Sequence, residues 1–342
     1  MAGRISGVVR VAIIGPGGIS GAHCRGYLKH ADKVKVVALC DINPEAIRRR
    51  RDQLGDQSIA AYDDWKKMLR EMGDRIDAVD ICLPHHLHAP AILDAAAAGK
   101  HILCEKPMCI SLAEADAIEK AVRAAGITYM SAHNQLFMPV VQEARRMIQA
   151  GELGRVYWLR SQDCFIAGRT RAQWGWRANL QTQGGGELID TGYHPTYRLL
   201  YLANSPVAAV RGNMGRFHAE IDGEDTASVQ VRFENGIMGE IFTSWAMNLP
   251  WGTHHIHVIG EKGQLFGSND DLWFLPAGFK EPAHRSFPPV ETFEAEIGHF
   301  VDCLRNGTRP IHSVEEGRQV LEVILKAAES AHGWQKTAVL KV

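Results

Sequence analysis

A short stretch near the start of the chain, Val11-Ala12-Ile13-Ile14-Gly15-Pro16-Gly17-Gly18-Ile19-Ser20, limits the possible fold more than any other segment. Apolar residues suited to a buried strand run straight into Gly-x-Gly-x-x-Ser, and Ile19–His30 then repeats its apolar positions at helical spacing. A strand that passes into a helix through glycines leaves free N–H groups and the positive end of the helix dipole at the turn, a ready site for phosphate. Gly15 permits the tight turn, Gly17 lets a pyrophosphate approach the backbone, and Ser20 is small enough for helix to pack on strand. Pro16, Gly18 and Ile19 complete the expected cofactor loop. Alone, such a triplet is also what an ordinary strand-to-helix turn contains. Context adds weight, because the next strand ends at Asp41, about 20 residues on, where a carboxylate accepts hydrogen bonds from both adenosine ribose hydroxyls. That carboxylate repels a 2′-phosphate, so the expected cofactor is NAD and NADP is disfavoured. The arginines from Arg48 to Arg51 read as a solvated helix face.

The same alternation continues to about residue 150. Strands are expected at Arg10–Gly15, Lys35–Cys40, Ala78–Leu83, His101–Cys104 and Ile127–Ala132. Helices are expected at Ile19–His30, Glu45–Leu54, His88–Ala98, Leu112–Ala125 and Val140–Gln149. The fold class is α/β, with a doubly wound parallel (Rossmann) sheet in residues 1–150. After Gly151-Glu152-Leu153-Gly154 the alternating runs lengthen, at Val156–Gln162, Thr226–Phe233, Ile237–Trp245 and His255–Gly260. Residues 151–342 are therefore expected to form an α+β domain with a large, mostly antiparallel open sheet. Its helices read as Glu187–Leu202, Glu294–Arg305 and Val314–Ala331, the last with a capping box from Ser313 and Glu316. Asn269–Pro289, rich in Pro, Gly and Asp without a period, reads as a long loop.

Charge and cysteine content bear on the partners. Among 342 residues, 38 Lys and Arg against 39 Asp and Glu leave no basic field for nucleic acid or an anionic membrane. No run approaches the roughly 18 apolar residues of a membrane span. Seven scattered cysteines read as reduced, buried thiols, and the short polar Met1–Arg10 leaves no room for a signal peptide, so the expected compartment is the cytoplasm. A small-molecule substrate is what remains.

Two segments carry candidate chemistry. Cys104-Glu105-Lys106-Pro107 lies where a parallel strand gives out, the edge at which open α/β sheets bind ligands. There the Lys106 ammonium can stabilise alkoxide charge beside a nicotinamide, although a surface lysine is the plainer alternative. Leu83-Pro84-His85-His86-Leu87-His88 ends the preceding strand in the same way, with Pro84 placed to press on one nicotinamide face. In the second domain, Gly184-Gly185-Gly186 precedes Asp190 and His194, four residues apart and hence expected on one helix face. A carboxylate beside an imidazole raises its basicity and fixes its tautomer, which suits a general base; a merely structural helix pair is the alternative. The glycines are expected to let backbone approach a ligand.

In this order and spacing, the glycine loop, Glu105-Lys106-Pro107 and the Gly-Gly-Gly…Asp190-x-x-x-His194 segment resemble the Gfo/Idh/MocA family of NAD(P)-dependent oxidoreductases acting on sugars and cyclitols. The resemblance spans nearly the whole chain, including the 151–154 junction and Ser330-Ala331-His332-Gly333. It implies Lys106, Asp190 and His194 as the catalytic group, with Trp176 beside them in contact with substrate. It further implies cofactor contacts from Leu83, Pro84, His85, His88, Glu105, Asn134, Trp176 and Arg177, alongside Lys106. The chain departs from the pattern twice. Many relatives carry an aspartate shortly after the helix histidine, where this chain reads His194-Pro195-Thr196-Tyr197-Arg198, and a proline inside the helix should kink it. Gln135-Leu136-Phe137 stands where an arginine is frequent before the aromatic residue.

Other readings compete. His85-His86-x-His88 and His254-His255-x-His257 invite a metal, but strand alternation would put only His255 and His257 on one face, and no further ligand stands at metal spacing, so no metal is expected. A catalytically silent nucleotide-sensing regulator of the same fold would be expected to lose the lysine or the Asp-His pair. An NAD-dependent redox glycosidase, which oxidises a sugar transiently, eliminates the aglycone and re-reduces the product, keeps them all. Trp158, Trp174, Trp176, Trp245 and Trp251 suit stacking on sugar C–H faces or core packing alike. The preferred reading is an NAD-dependent dehydrogenase of a secondary hydroxyl in a sugar, aminosugar or cyclitol, assembled as a homodimer or homotetramer through the C-terminal sheet.

Overall fold

The computed structural model describes residues 4–249 and 252–331. Trp251 and the His332-Gly333 end of the C-terminal motif lie outside the described residues. The first half contains β1 (Val9–Ile14), β2 (Val34–Cys40), β3 (Ala60–Tyr62), β4 (Ala78–Ile81), β5 (His101–Glu105) and β6 (Tyr129–Ala132). They form a parallel sheet in the order β3-β2-β1-β4-β5-β6, the order of a dinucleotide-binding sheet. Its helices are α1 (Ser20–Lys29), α2 (Pro44–Leu54), α3 (Trp65–Met72), α4 (His88–Ala97), α5 (Leu112–Ala125) and α6 (Pro139–Gln149).

Strand alternation divides the core. Val11, Ile13 and Leu103 face one layer with Tyr27 of α1, while Ala12, Ile14 and Ile102 face another with Ile92 of α4 and Ile118 of α5. The first layer is completed from far along the chain by Ile297, Phe300 and Leu304 of α11 (Thr292–Asn306). The second continues into the other half of the molecule.

That half is an eight-stranded sheet in the order β14-β13-β12-β11-β7-β10-β9-β8. Its strands are β7 (Val156–Cys164), β8 (Val207–Gly215), β9 (Thr226–Phe233), β10 (Met238–Ser244), β11 (Ile256–Gly260), β12 (Gly263–Ser268), β13 (Asp271–Pro276) and β14 (Ala283–Ser286). Among the described residues, only β7 with β10 is a parallel pair in this sheet. The loop expected at 269–289 is thus corrected: it contains β13 and β14, whose Trp273 pairs with His284 across an edge too exposed to show a clean period. Short helices α7 (Arg171–Trp174), α8 (Leu180–Gln183) and α9 (Glu187–Asp190) lead into α10 (Tyr193–Ala203), which covers the inner face of this sheet with α12 (Val314–Ala331). Before α12, the Glu316 carboxylate accepts from the Ser313 N–H at 2.8 Å, the glutamate half of the expected capping box.

The single helix expected at Glu187–Leu202 is broken. Gly192 N–H bonds back five residues to Glu187 O, at 2.9 Å, and this widened turn separates α9 from α10. Pro195 consequently sits in the first turn of α10, where its missing N–H is not needed, so no kink arises there. All seven cysteines are unpaired, and no described helix is long and apolar enough to cross a membrane.

Candidate active site

Between the carboxyl ends of the parallel strands and the first short helices of the second half lies a cleft of about 450 Å³. Gly15, Gly17, Gly18, Ile19, Asp41, Leu83, Pro84, Trp176 and Arg177 line it, all among the residues expected to contact a cofactor. Asp63, Trp65, Cys40, Ile42, Cys82 and Leu87 line it too and were not. Gly15 has φ +82°, and a Cβ there would stand 2.9 Å from the Cys82 backbone, so this turn admits only glycine. An added Cβ at Gly18 would meet nothing within 4 Å, which leaves the N-terminal turn of α1 open to a pyrophosphate. Asp41 stands beside Asp63, and two carboxylates at the ribose end disfavour a 2′-phosphate. The residues present therefore fit a dinucleotide of the NAD type.

Arg50 is not simply solvated, as the sequence suggested. Its guanidinium donates to Gly17 O at 2.6 Å and Ser20 Oγ at 2.9 Å, bracing the glycine loop. Arg48 pairs with Glu45 and Arg51 donates to Ile59 O.

Lys106 follows β5 and reaches across to the second half, where its ammonium donates to Asp190 Oδ1 at 2.7 Å and to Asp190 O at 2.8 Å. The other carboxylate oxygen accepts from Arg177 Nε at 2.7 Å. Burial would raise the Asp190 pKa, but Lys106 and Arg177 hold it well below the usual carboxylate range. Arg177 also stacks its guanidinium 4.1 Å above the Trp176 ring, tying the ion-pair cluster to the cleft wall.

The expected partnership of Asp190 with His194 is corrected. The helix breaks at Gly192 between the two, and both Asp190 oxygens are occupied by cations. His194 Nδ1 is instead 2.7 Å from Tyr197 Oη. The imidazole pKa lies well below its ordinary value, through burial first and the nearby Lys106 and Arg198 next, with Asp190 opposing. The three glycines likewise serve the chain itself: a Cβ on Gly186 would stand 2.0 Å from Glu224 O.

The remaining expected cofactor residues lie behind the cleft lining. Pro16 is buried in the loop, and Asn134 Nδ2 donates to Thr292 Oγ1 at 2.9 Å. His85 bonds to Gln183 O at 2.8 Å with its ring edge-on to Trp176, and His88 lies within 2.7 Å of both Leu83 O and Pro107 O. Glu105 accepts from Lys106 N–H at 3.1 Å and pairs with His23 Nε2 at 3.1 Å. His23 bonds Asp80 through its other nitrogen, and Tyr27 donates to the same carboxylate at 2.9 Å. Burial disfavours charge on His23, but Asp80 and Cys82 together outweigh it and hold the pKa well above the ordinary value. Nothing periodic in the sequence flagged this buried network. Among the described residues, His23, Asp80 and Cys82 place potential metal-ligand atoms within 4.8 Å of one another, already engaged in mutual hydrogen bonds.

The alternation expected across His254–His257 is corrected too, because β11 starts only at Ile256. His254 and His257 share Phe266, while His255 turns inward toward Arg198 and Asp163. Trp174 and Trp245 are buried against each other, whereas Trp158 lies on the outer sheet face against His257.

Comparison with known proteins bears on this geometry. Residues 9–133 match the model described as an oxidoreductase family with an NAD-binding Rossmann fold, and residues 141–266 match the GFO/IDH/MocA C-terminal domain. The chain is 28% identical over 335 residues to scyllo-inositol 2-dehydrogenase (NAD(+)) of Bacillus subtilis, covering 94% of each. It is 26% identical to myo-inositol 2-dehydrogenase of Thermotoga maritima, covering 92% of this chain and 93% of the relative. The crystal structure of an oxidoreductase from Agrobacterium radiobacter in complex with NAD+, L-tartaric acid and magnesium has the same fold. Its TM-score is 0.83 at 22% identity, covering 95% of this chain and 96% of that one.

Close to Glu105, Glu296 is fully buried, neither of its carboxyl oxygens has a hydrogen-bond partner among the described residues, and burial pushes its pKa well above the ordinary range. The folded chain holds this proton after the unfolded chain has lost it, so stability falls by up to about 1.4 kcal/mol per pH unit from the unfolded pKa, about 4.3, up to the folded one. Urea unfolding of Glu296→Gln between pH 5 and 8 is expected to show a shallower fall than wild type; parallel curves would contradict the assignment.

Proposed function

Since this chain belongs to the Gfo/Idh/MocA family of NAD-binding oxidoreductases, we propose that it oxidises a secondary hydroxyl of a sugar, aminosugar or cyclitol to the ketone, reversibly, with NAD. The observation that carries this reading is the Lys106–Asp190 ion pair at 2.7 Å, joined through Arg177 to a cleft that also holds the glycine loop and Asp41. The inositol dehydrogenases among its relatives support a cyclitol or sugar substrate.

The bound nicotinamide supplies the hydride acceptor, and the chain's side chains do the rest. Residues 1–150 hold the cofactor and residues 151–342 present the substrate. Lys106 stabilises the negative charge that develops on the substrate oxygen. Asp190 keeps Lys106 and Arg177 in place, Trp176 offers a flat apolar face for ring C–H groups, and His194 contacts the reacting hydroxyl. The whole chain carries a formal net charge of −1, so any electrostatic selection of substrate is local to this cluster.

The outer face of the eight-stranded sheet, with exposed Met238 and half-exposed Trp158, Phe266 and Trp273, is the proposed interface of a homodimer or homotetramer, and the free thiols suit a cytoplasmic enzyme.

Wild type is expected to form NADH with at least one member of a panel of sugars, cyclitols and aminoglycosides. Lys106→Ala should abolish that turnover while still binding NAD; full activity in the variant would sink the mechanism. Asp41→Ala is expected to weaken NAD far more than NADP in fluorescence titrations, and an unchanged ratio would contradict the ribose assignment. Light scattering at micromolar concentration should give two or four chains per particle, and a monomer would rule out the sheet interface.

A further inference from the structure

The two stretches in which this chain departs from its family's pattern meet behind His194. Tyr197 Oη lies 2.7 Å from His194 Nδ1 and accepts a hydrogen bond from the Gln135 backbone N–H at 3.1 Å. Fully buried Arg198 fixes the same segment, donating to the Gln135 side-chain oxygen, to Gln162 O at 2.9 Å and to Ser161 Oγ at 3.2 Å. The Tyr197 ring is itself fully buried and stacked on His133 at 4.3 Å.

Counting protons decides the direction of the Tyr197–His194 bond. A neutral imidazole carries one N–H, and a phenol carries one O–H that needs an acceptor when buried. Gln135 N–H already points at the phenol oxygen. Were His194 Nδ1 a donor as well, the Tyr197 proton would be buried without an acceptor among the described residues. The arrangement that satisfies every group has Tyr197 donating to Nδ1, which leaves the single ring proton on Nε2. The charged groups facing the ring are Lys106 and Arg198 as cations and Asp190 as the opposing anion; together with burial they keep it neutral, and His133 stacked behind is held neutral as well.

We propose that Tyr197 is a positioning residue that locks His194 as the Nε2–H tautomer, so that His194 donates a hydrogen bond to the reacting oxygen and Lys106 carries the reaction's proton. This rests on the dehydrogenase reading above. For oxidation the Lys106 ammonium first releases a proton to solvent, a step that gives kcat/KM an alkaline rise; the hydroxyl proton then passes to Nζ, the carbinol C–H bond breaks with its electron pair leaving as hydride to NAD, and the C=O bond forms. The substrate carbon is oxidised and NAD is reduced; in the reverse direction the Lys106 ammonium returns the proton. A ring whose Nε2 already carries hydrogen has no lone pair there with which to act as base.

The test reads the tautomer directly. In the wild-type enzyme labelled with ¹⁵N in its histidine rings, the His194 signals are assigned by their loss in His194→Gln. At pH 7 a protonated Nε2 and an unprotonated, hydrogen-bonded Nδ1 are expected, and Tyr197→Phe should give a mixture of tautomers. A proton on Nδ1 in wild type overturns the proposal, whether or not any polyol is turned over; failure of the dehydrogenase reading shows separately, as no NADH from the whole panel. Kinetics give the second readout. His194→Gln, which keeps an N–H near the position of Nε2, should retain kcat within about tenfold and keep the alkaline rise of kcat/KM, while His194→Ala, with no donor, loses about 10²–10³ in kcat. A His194→Gln enzyme as slow as His194→Ala, with the alkaline rise gone, overturns the proposal. Both readouts remain decisive if Tyr197→Phe fails to fold.

Discussion

Asp190 is a buried carboxylate gripped by two cations, Lys106 and Arg177, each at 2.7 Å, and the site is organised around it. Isolated, such a carboxylate would be too costly to bury ionised; paired, it becomes a fixed point that draws a lysine from the end of a parallel strand to the second half of the chain. Arg177, held the same way, sets Trp176 against the cleft, and His85 packs on that indole. Losing either cation would leave one buried Asp190 oxygen without its hydrogen-bond partner, so the geometry of the cleft and the seam between the two halves depend on the same contacts.

Behind this front layer a second buried network steadies the lysine. Glu105 accepts the Lys106 backbone N–H and is itself held by His23, which is anchored on Asp80. His23 and Tyr27 both come from α1, the helix that follows the glycine loop, so that loop and Lys106 share one rigid support. Fully satisfied polar networks of this kind fix one arrangement where an apolar core would tolerate several.

What could be read from the sequence was whatever has a local period. The strand and helix of the glycine loop, Asp41 at the end of the next strand and Lys106 at the end of β5 all announce themselves within about ten residues of chain. Pairings without a period stayed hidden: His23 meets Asp80 and Glu105 across 57 and 82 positions, and Gln135 meets Tyr197 across 62. Spacing misled where the backbone left its ideal geometry. Asp190 and His194 are four apart, but the helix breaks at Gly192 between them, the Asp190 oxygens bind Lys106 and Arg177, and His194 bonds to Tyr197. β14 and its neighbour β13 were illegible for a different reason: all four residues of the edge strand β14 are exposed and need no alternation, and β13 fully buries only Leu272.

The reaction proposed for this cleft is direct hydride transfer from a carbinol carbon, organised by local charge. It is tested most directly by incubating the enzyme with NAD and a polyol deuterated at its carbinol carbons, then locating the deuterium by mass spectrometry. One deuterium is expected on the reduced nicotinamide for each ketone formed. Ketone formation with unlabelled NADH and deuterium in the water would contradict it.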